Sequence, residues 1–296
     1  MLLPDYRFHK ILWIHGNGRN GKGVWQRTIE SILGLNNVVS LELQEFDGSK
    51  RFSLERLYGK LANFCSEPRT NKTLQTALLK KATGQDLIDA EIKGKQERLK
   101  IRNCAKITIL ANRFPKVNDD SVAFKDRMMF ESFSNEFIGS DQIQNLENVW
   151  LFDPIERMGI FNWMLTGLQR LLTNGCFTES KTQVETQILF MRNSDPINAF
   201  IKEMVVYGTN FVITRTDLYD NYKEYCEIFG LEVESNRKFT QVIKQTKGVS
   251  EYRIRNERAW RAITCKKISD DGQICDVVES PSTDSTLFST SDNYEE

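Results

Sequence analysis

Residues 11–23, Ile11-Leu12-Trp13-Ile14-His15-Gly16-Asn17-Gly18-Arg19-Asn20-Gly21-Lys22-Gly23, decide the fold. The apolar run ILWIH reads as a short buried strand, and helical periodicity follows from about Lys22 to Leu33. Between them the glycine-rich run fits G-x-x-x-x-G-K. Its glycines let backbone N–H groups curl around phosphate oxygens. The helix beginning at Lys22 aims its positive end at the same anion, and the Lys22 ammonium reaches the β- and γ-phosphates of a nucleotide. One position departs from that pattern: Gly23 stands where a Ser or Thr hydroxyl would hold Mg²⁺. Thr28 lies more than a helical turn further on and cannot substitute. The metal must then be held through water and an acid elsewhere, or hydrolysis is impaired.

Working outward, LANFC (61–65) reads as a second strand ending in Ser66-Glu67-Pro68, and a helix follows across 73–82. Residues 86–104 alternate loosely as a β-hairpin or an extended loop. KITILAN (106–112) and RMMFESF (127–133) read as further strands. Strands separated by helical segments predict a mostly parallel α/β sheet. Glu67, just beyond a buried strand, is placed to hold Mg²⁺ or orient an attacking water; its plainer reading is a solvated residue or a cap. Asn112 is placed to hydrogen-bond a γ-phosphate or its water, and its plainer reading is turn chemistry. Lys22, Glu67 and Asn112 are evenly spaced, 45 residues apart, which suits helix-containing excursions between neighbouring strands.

The 296 residues carry 40 basic and 40 acidic side chains, so net charge says nothing of partners. The distribution says more. From Ser269 to Glu296 there are eight acids and no Lys or Arg, which leaves +8 on residues 1–268, compatible with a polyanionic ligand. No apolar run approaches the roughly eighteen residues of a membrane span, and MLLPDYRFHK is no signal peptide. Six scattered cysteines without a CxxC pair argue for a reducing, intracellular compartment and against zinc ribbons or a disulfide framework. His9 and His15 are too few for a histidine metal cluster, and His15 reads as structural.

From Asp153 the pattern turns helical, through 154–172 and 179–192, and Asp195-Pro196 starts another helix over PINAFIKEMVVYG. Residues 214–264 give Thr214 as a cap, two helices and a short hairpin, the outline of a winged helix. The expected organisation is an ATPase core with trailing helices over 1–192, a winged-helix-like domain over 193–268 and a disordered acidic tail over 269–296. Lys238, Lys244, Lys247, Arg253, Arg255, Arg258 and Arg261, interleaved with Tyr252 and Trp260, suit DNA contact. A module packing against protein is the competing reading.

Taken in order, Gly16–Gly23, Ser66-Glu67, KATGQDLIDAEIK (81–93), Ala111-Asn112-Arg113-Phe114-Pro115 and Ala123-Phe124-Lys125-Asp126-Arg127 resemble the motifs of superfamily 3 helicases. The branch is that of phage, plasmid and poxvirus primase–helicases, and the likeness runs on through Ile160-Phe161-Asn162-Trp163 and Gly167-Leu168 into 195–264. The resemblance implies an AAA+-like P-loop NTPase that uses ATP and Mg²⁺, assembles as a ring, usually a hexamer, and moves along single-stranded DNA. It places Lys93 on a hairpin facing the central channel. Lys95, Arg98, Lys100 and Arg102 extend a cationic strip suited to phosphates. Arg127 resembles an arginine finger acting across the subunit interface; otherwise it pairs with Asp119, Asp120 or Asp126. The sequence starts about ten residues before the first strand, so the collar and primase domain usual in such proteins are expected to be missing; a separate primase and other replication proteins are the candidate partners. The acidic position is a lone Glu67 where relatives carry a pair. The expected activity is an ATP-dependent helicase or translocase of a viral or plasmid replication protein. The alternatives are a weakly hydrolysing origin-binding or loading factor and a non-enzymatic winged-helix DNA-binding protein.

Overall fold

The structure is a computed structural model. It describes residues 1–278 except 17, 48–52, 67, 69–72, 92–97, 118, 120, 147, 149–152, 179–181, 255 and 270–272, with backbone alone at 47, 183 and 276–278. The chain divides into two compact units, Met1–Ser194 and Asp195–Glu296.

Unit 1 runs β1 (Ile11–His15), α1 (Lys22–Leu33), β2 (Val38–Val39), β3 (Ala62–Ser66), α2 (Ala77–Thr83), β4 (Leu87–Glu91), β5 (Arg98–Arg102), β6 (Lys106–Ala111), α3 (Val122–Lys125), β7 (Met128–Ser132), α4 (Pro154–Asn174) and α5 (Gln183–Ser194). Five strands form one sheet in the order β2-β3-β6-β1-β7, every neighbouring pair parallel. The sheet is buried on both faces, which is why its strands read as continuous apolar runs. On one face Ile11 and Trp13 join Ile107, Ile109, Phe114 and Phe130. On the other, Ile14, Phe64 and Leu110 meet Ile29 and Leu33 of α1. Trp13 makes edge-on ring contacts with Phe114 at 4.9 Å and Phe190 at 5.0 Å, and the second of these ties α5 to the sheet. Each such pair contributes roughly 0.5–1.5 kcal/mol beyond its buried area.

Because the strands are parallel, the carboxyl ends of β1, β3 and β6 lie along one edge of the sheet. Gly16 and Asn112, which follow β1 and β6, leave from that edge, where open α/β sheets bind their ligands. The segment expected as a hairpin or extended loop is an antiparallel pair, β4 with β5.

Unit 2 runs α6 (Pro196–Met204), β8 (Val205–Thr214), α7 (Arg215–Ile228), α8 (Asn236–Gln245), β9 (Ser250–Ile254), β10 (Glu257–Ile268) and β11 (Ile274–Val278). The long strand β10 pairs antiparallel with β8, β9 and β11. Phe200, Tyr222, Tyr225 and Phe239 make a ring cluster under the helices, with centroids 4.8–6.0 Å apart. Thr214 caps α7, its hydroxyl accepting from Asp217 N at 3.0 Å.

Two expectations need correction here. The helix predicted through Gly208 stops at Met204, because the β-branched Val205 and Val206 and then Tyr207 pair with β10 instead. The tail predicted as disordered from 269 contains β11, whose Ile274 pairs with Ile268 of β10. A pentapeptide with four apolar residues around Asp276, inside an acidic stretch, was enough to extend the sheet by one edge strand. Residues 279–296 lie outside the described ones. No helix among the described residues is long and apolar enough to cross a membrane.

Candidate functional site

The loop between β1 and α1 has a backbone that requires glycine. Gly18 and Gly21 have φ of 112° and 84°, in the left-handed region that side chains disfavour. Gly16 is demanded by space: an added Cβ would lie 1.9 Å from Asn20 Nδ2 and 2.4 Å from the Phe133 carbonyl oxygen. Gly21 is the N-cap of α1 and, having no side chain, makes no cap bond, so among the described residues no side chain caps the first N–H groups of that helix.

Lys22 holds the loop together. Its ammonium donates to Gly16 O at 2.5 Å, Asn20 Oδ1 at 3.0 Å and Asn112 Oδ1 at 3.1 Å. Asn20, which is buried, donates its amide to Phe133 O at 2.9 Å, while Phe133 N donates to His15 O at 2.7 Å and Phe137 N to Arg19 O at 2.8 Å. The strand end of β7 and the segment after it therefore brace the back of the loop. The Lys22–Asn112 contact joins the ends of the adjacent strands β1 and β6. The structure thus brings together two of the residues singled out from the sequence, and leaves an ammonium and an uncapped helix start at one point. That set suits phosphate oxygens.

His15, read from the sequence as structural, belongs to this arrangement. Its ring interacts with the Asn112 backbone and the Asn193 side chain, and burial first, then the Lys22 charge, holds its pKa below the usual histidine value. Position alone, directly before the loop, was the signal for it. Asn193 gave none, since it lies on a helix far along the chain.

Glu67, Lys93 and Lys95 lie outside the described residues, as does Asn17. Near Glu67, Ser66 Oγ donates to Gln26 Oε1 of α1 at 2.9 Å, which brings the end of β3 to the helix that follows the loop. Gly23 offers no metal ligand, and Thr28 is committed to its own helix, donating to Val24 O at 2.9 Å. Among the described residues no cluster of three or more His, Cys, Asp and Glu could hold a metal ion. Beside the loop opens a cavity of about 850 Å³ lined by Arg19, Gly21, Trp25, Phe137, Ile143 and Trp163, among others.

Arg127 is not brought to Lys22. Its carbonyl accepts from Ile11 N at 2.6 Å, at the amino end of β1, about 13 Å from the loop at 3.3 Å per strand residue. Its guanidinium donates to Thr83 Oγ1 at 3.0 Å and to the Ala123 carbonyl. Asp119 is engaged by Lys80 at 2.8 Å, by Thr76 and by Ser121. Burial of Asp119 acts to raise its pKa, but those hydrogen bonds win and hold the carboxyl below the usual range. On the β4–β5 hairpin, Arg98, Lys100 and Arg102 share the exposed face. That face is less cationic than the sequence strip suggests: Arg98 pairs with Glu91 at 3.3 Å, and Asp89 stands opposite Lys100.

Residues 14–127 match a family model described as a family of unknown function, DUF5906, and residues 192–278 match one described as Poxvirus D5 protein-like. No curated protein matches the chain. Among solved structures, it aligns with two apo structures of the NrS-1 C-terminal region. One has 13% identity and a TM-score of 0.37, covering 88% of this chain and 67% of that one. The other has 12% identity and a TM-score of 0.40, covering 87% and 68%. What this chain is similar to, over its last third, is the Poxvirus D5 protein-like family.

Proposed function

We propose that the chain is the motor of a viral or plasmid replication protein, an ATP-dependent helicase or translocase that moves along single-stranded DNA as a ring of copies. The observation that carries the reading is the contact of Lys22 Nζ with Asn112 Oδ1 at 3.1 Å beside the uncapped start of α1. In this reading the loop is a P-loop. Backbone N–H groups from Gly18 to Gly23 hold the ATP phosphates, Lys22 neutralises them, and Asn112 orients the γ-phosphate or its water. Glu67 accepts the proton of the attacking water and holds Mg²⁺ through water. The metal would supply charge neutralisation at the phosphates. The strand order, with the loop strand β1 between β6 and β7, agrees with an AAA+-like core.

The distance of Arg127 from Lys22 within one chain supports a finger given to the neighbouring subunit. The ring also accounts for α4, which has no buried residue and exposes Ile155, Met158 and Trp163. Lys93 and Lys95, which fall between β4 and β5 in the sequence, would contact the DNA backbone. Unit 2, in the order helix, strand, helix, helix, hairpin, is read as a winged helix. The Poxvirus D5 protein-like match over 192–278 agrees with the primase–helicase resemblance of the motifs.

One observation favours a second reading. Gly23 lacks the hydroxyl that would fix Mg²⁺, as in a protein that binds nucleotide, hydrolyses little and acts as an origin-binding or loading factor. ATP turnover measured with and without single-stranded DNA separates the two. The motor turns over and is stimulated, whereas the loading factor binds ATP without multiple turnover.

A further inference from the structure

The charge in unit 2 is polarised. Residues 195–235 hold eight acids and three Lys or Arg, whereas residues 236–267 hold ten Lys or Arg and two Glu. The basic part builds a cleft of about 730 Å³ between α8, the start of α7 and the β9–β10 hairpin. Helix α8 buries Phe239 and Ile243, one turn apart, and so turns Arg237, Thr240, Gln241 and Lys244 outward into the cleft. Arg258 faces them from β10. The side chains of Arg237, Gln241 and Arg258 take part in no hydrogen bond or ion pair among the described residues.

The other two cations of the cleft share one anion. Glu251 accepts from Lys244 at 2.5 Å and from Arg215 at 3.0 Å. Arg215 is held for this role: its guanidinium stacks on the buried Trp260 ring at 4.4 Å. The Arg215 Nε is buried and has no acceptor among the described residues. Glu251 is itself exposed, so the carboxylate is a removable occupant of a fixed cationic site.

We propose that this cleft binds double-stranded DNA, with α8 in the major groove, and that a backbone phosphate displaces Glu251 from Lys244 and Arg215. A major groove about 12 Å wide admits one helix, and Arg237 and Gln241 are side chains that read guanine and adenine edges there. Single-stranded DNA is a poorer fit. Its binding sites offer aromatic platforms for bases, and among the described residues no aromatic side chain lines this cleft. The inference concerns unit 2 alone and does not depend on the ATPase.

The test is anisotropy of a short fluorescein-labelled DNA duplex titrated with the full-length chain, without nucleotide, across a salt series. Unlabelled single-stranded DNA and duplex RNA serve as competitors. Arg237→Ala should weaken duplex binding about tenfold. Glu251→Gln should tighten it roughly threefold to tenfold, because a negative charge beside the phosphates is gone. Parent affinity should fall steeply with salt. Unchanged or weaker binding by Glu251→Gln overturns the displacement, and an unaltered Arg237→Ala overturns α8 as the contact. Stronger competition by single strands or by duplex RNA overturns the assignment to duplex DNA. ATP turnover is not a readout, so failure here and failure of the motor reading are told apart.

Discussion

Lys22 Nζ donates to Asn112 Oδ1 at 3.1 Å, across 90 residues of chain, where the parallel strands β1 and β6 end side by side. The bond ties Lys22, proposed to neutralise the phosphates, to the residue proposed to sense the γ-phosphate. Asn112→Ala should lower kcat for ATP about a hundredfold, the cost of one preorganised donor, with a smaller change in KM. Steady-state kinetics decides it. A variant with parental kcat removes Asn112 from the reaction.

Two glycines of the loop should respond in opposite ways. At Gly16 an added methyl meets backbone and a buried amide, so Gly16→Ala should cost roughly 1–3 kcal/mol and lower Tm by about 5 °C, with nucleotide binding lost. At Gly23 the nearest atom is the end of the Arg27 side chain, 3.1 Å away and able to swing aside. Gly23→Ser should therefore keep the parental Tm and raise ATP turnover at limiting Mg²⁺. An unchanged metal dependence would show that the missing hydroxyl limits nothing.

His15 should make unit 1 sensitive to acid. Its pKa is depressed in the folded chain, through burial first and Lys22 second. Below about pH 6.5 the unfolded chain therefore takes up the proton first, and stability falls as pH drops. Thermal melts at pH 7.5 and pH 5.5 should show a larger loss of Tm for the parent than for His15→Gln. Equal losses would remove His15 from the acid response.

The sheet was legible because its strands announce themselves. ILWIH and KITILAN are apolar runs buried on both faces, and β1 and β6 fall where those runs lie. Lys22 and Asn112 could be paired in advance, since parallel strands send their following residues to one edge. His15, Asn193 and the bracing by Phe133 could not, because they come from burial and from chain segments with no local pattern. Val205–Thr214 misled for a related reason. Its first residues continue a helical periodicity, and only pairing with β10 makes them a strand. The charges on the β4–β5 hairpin were read as a strip, whereas cross-strand register sets Glu91 and Asp89 against Arg98 and Lys100.

Arg127 and Lys22 lie at opposite ends of β1, so a shared reaction needs two chains. Lys22→Ala and Arg127→Ala proteins should each be nearly inactive. Mixed, some interfaces pair an intact loop with an intact arginine, and turnover should exceed the sum of the separate proteins. Absence of recovery at every ratio, with mixed oligomers demonstrated, would leave Arg127 a structural partner of Thr83 and Ala123.

Multiple-turnover ATP hydrolysis by the parent and by Lys22→Ala, each with and without single-stranded DNA, bears most directly on the motor. Lys22 is not part of the apolar core, so the variant should still fold, with a loss of roughly 1–3 kcal/mol from the three hydrogen bonds its ammonium makes. The account predicts parental turnover that single-stranded DNA increases, and a fall of at least about a hundredfold in Lys22→Ala. Turnover unchanged in Lys22→Ala, or none in the parent under any condition, would contradict it.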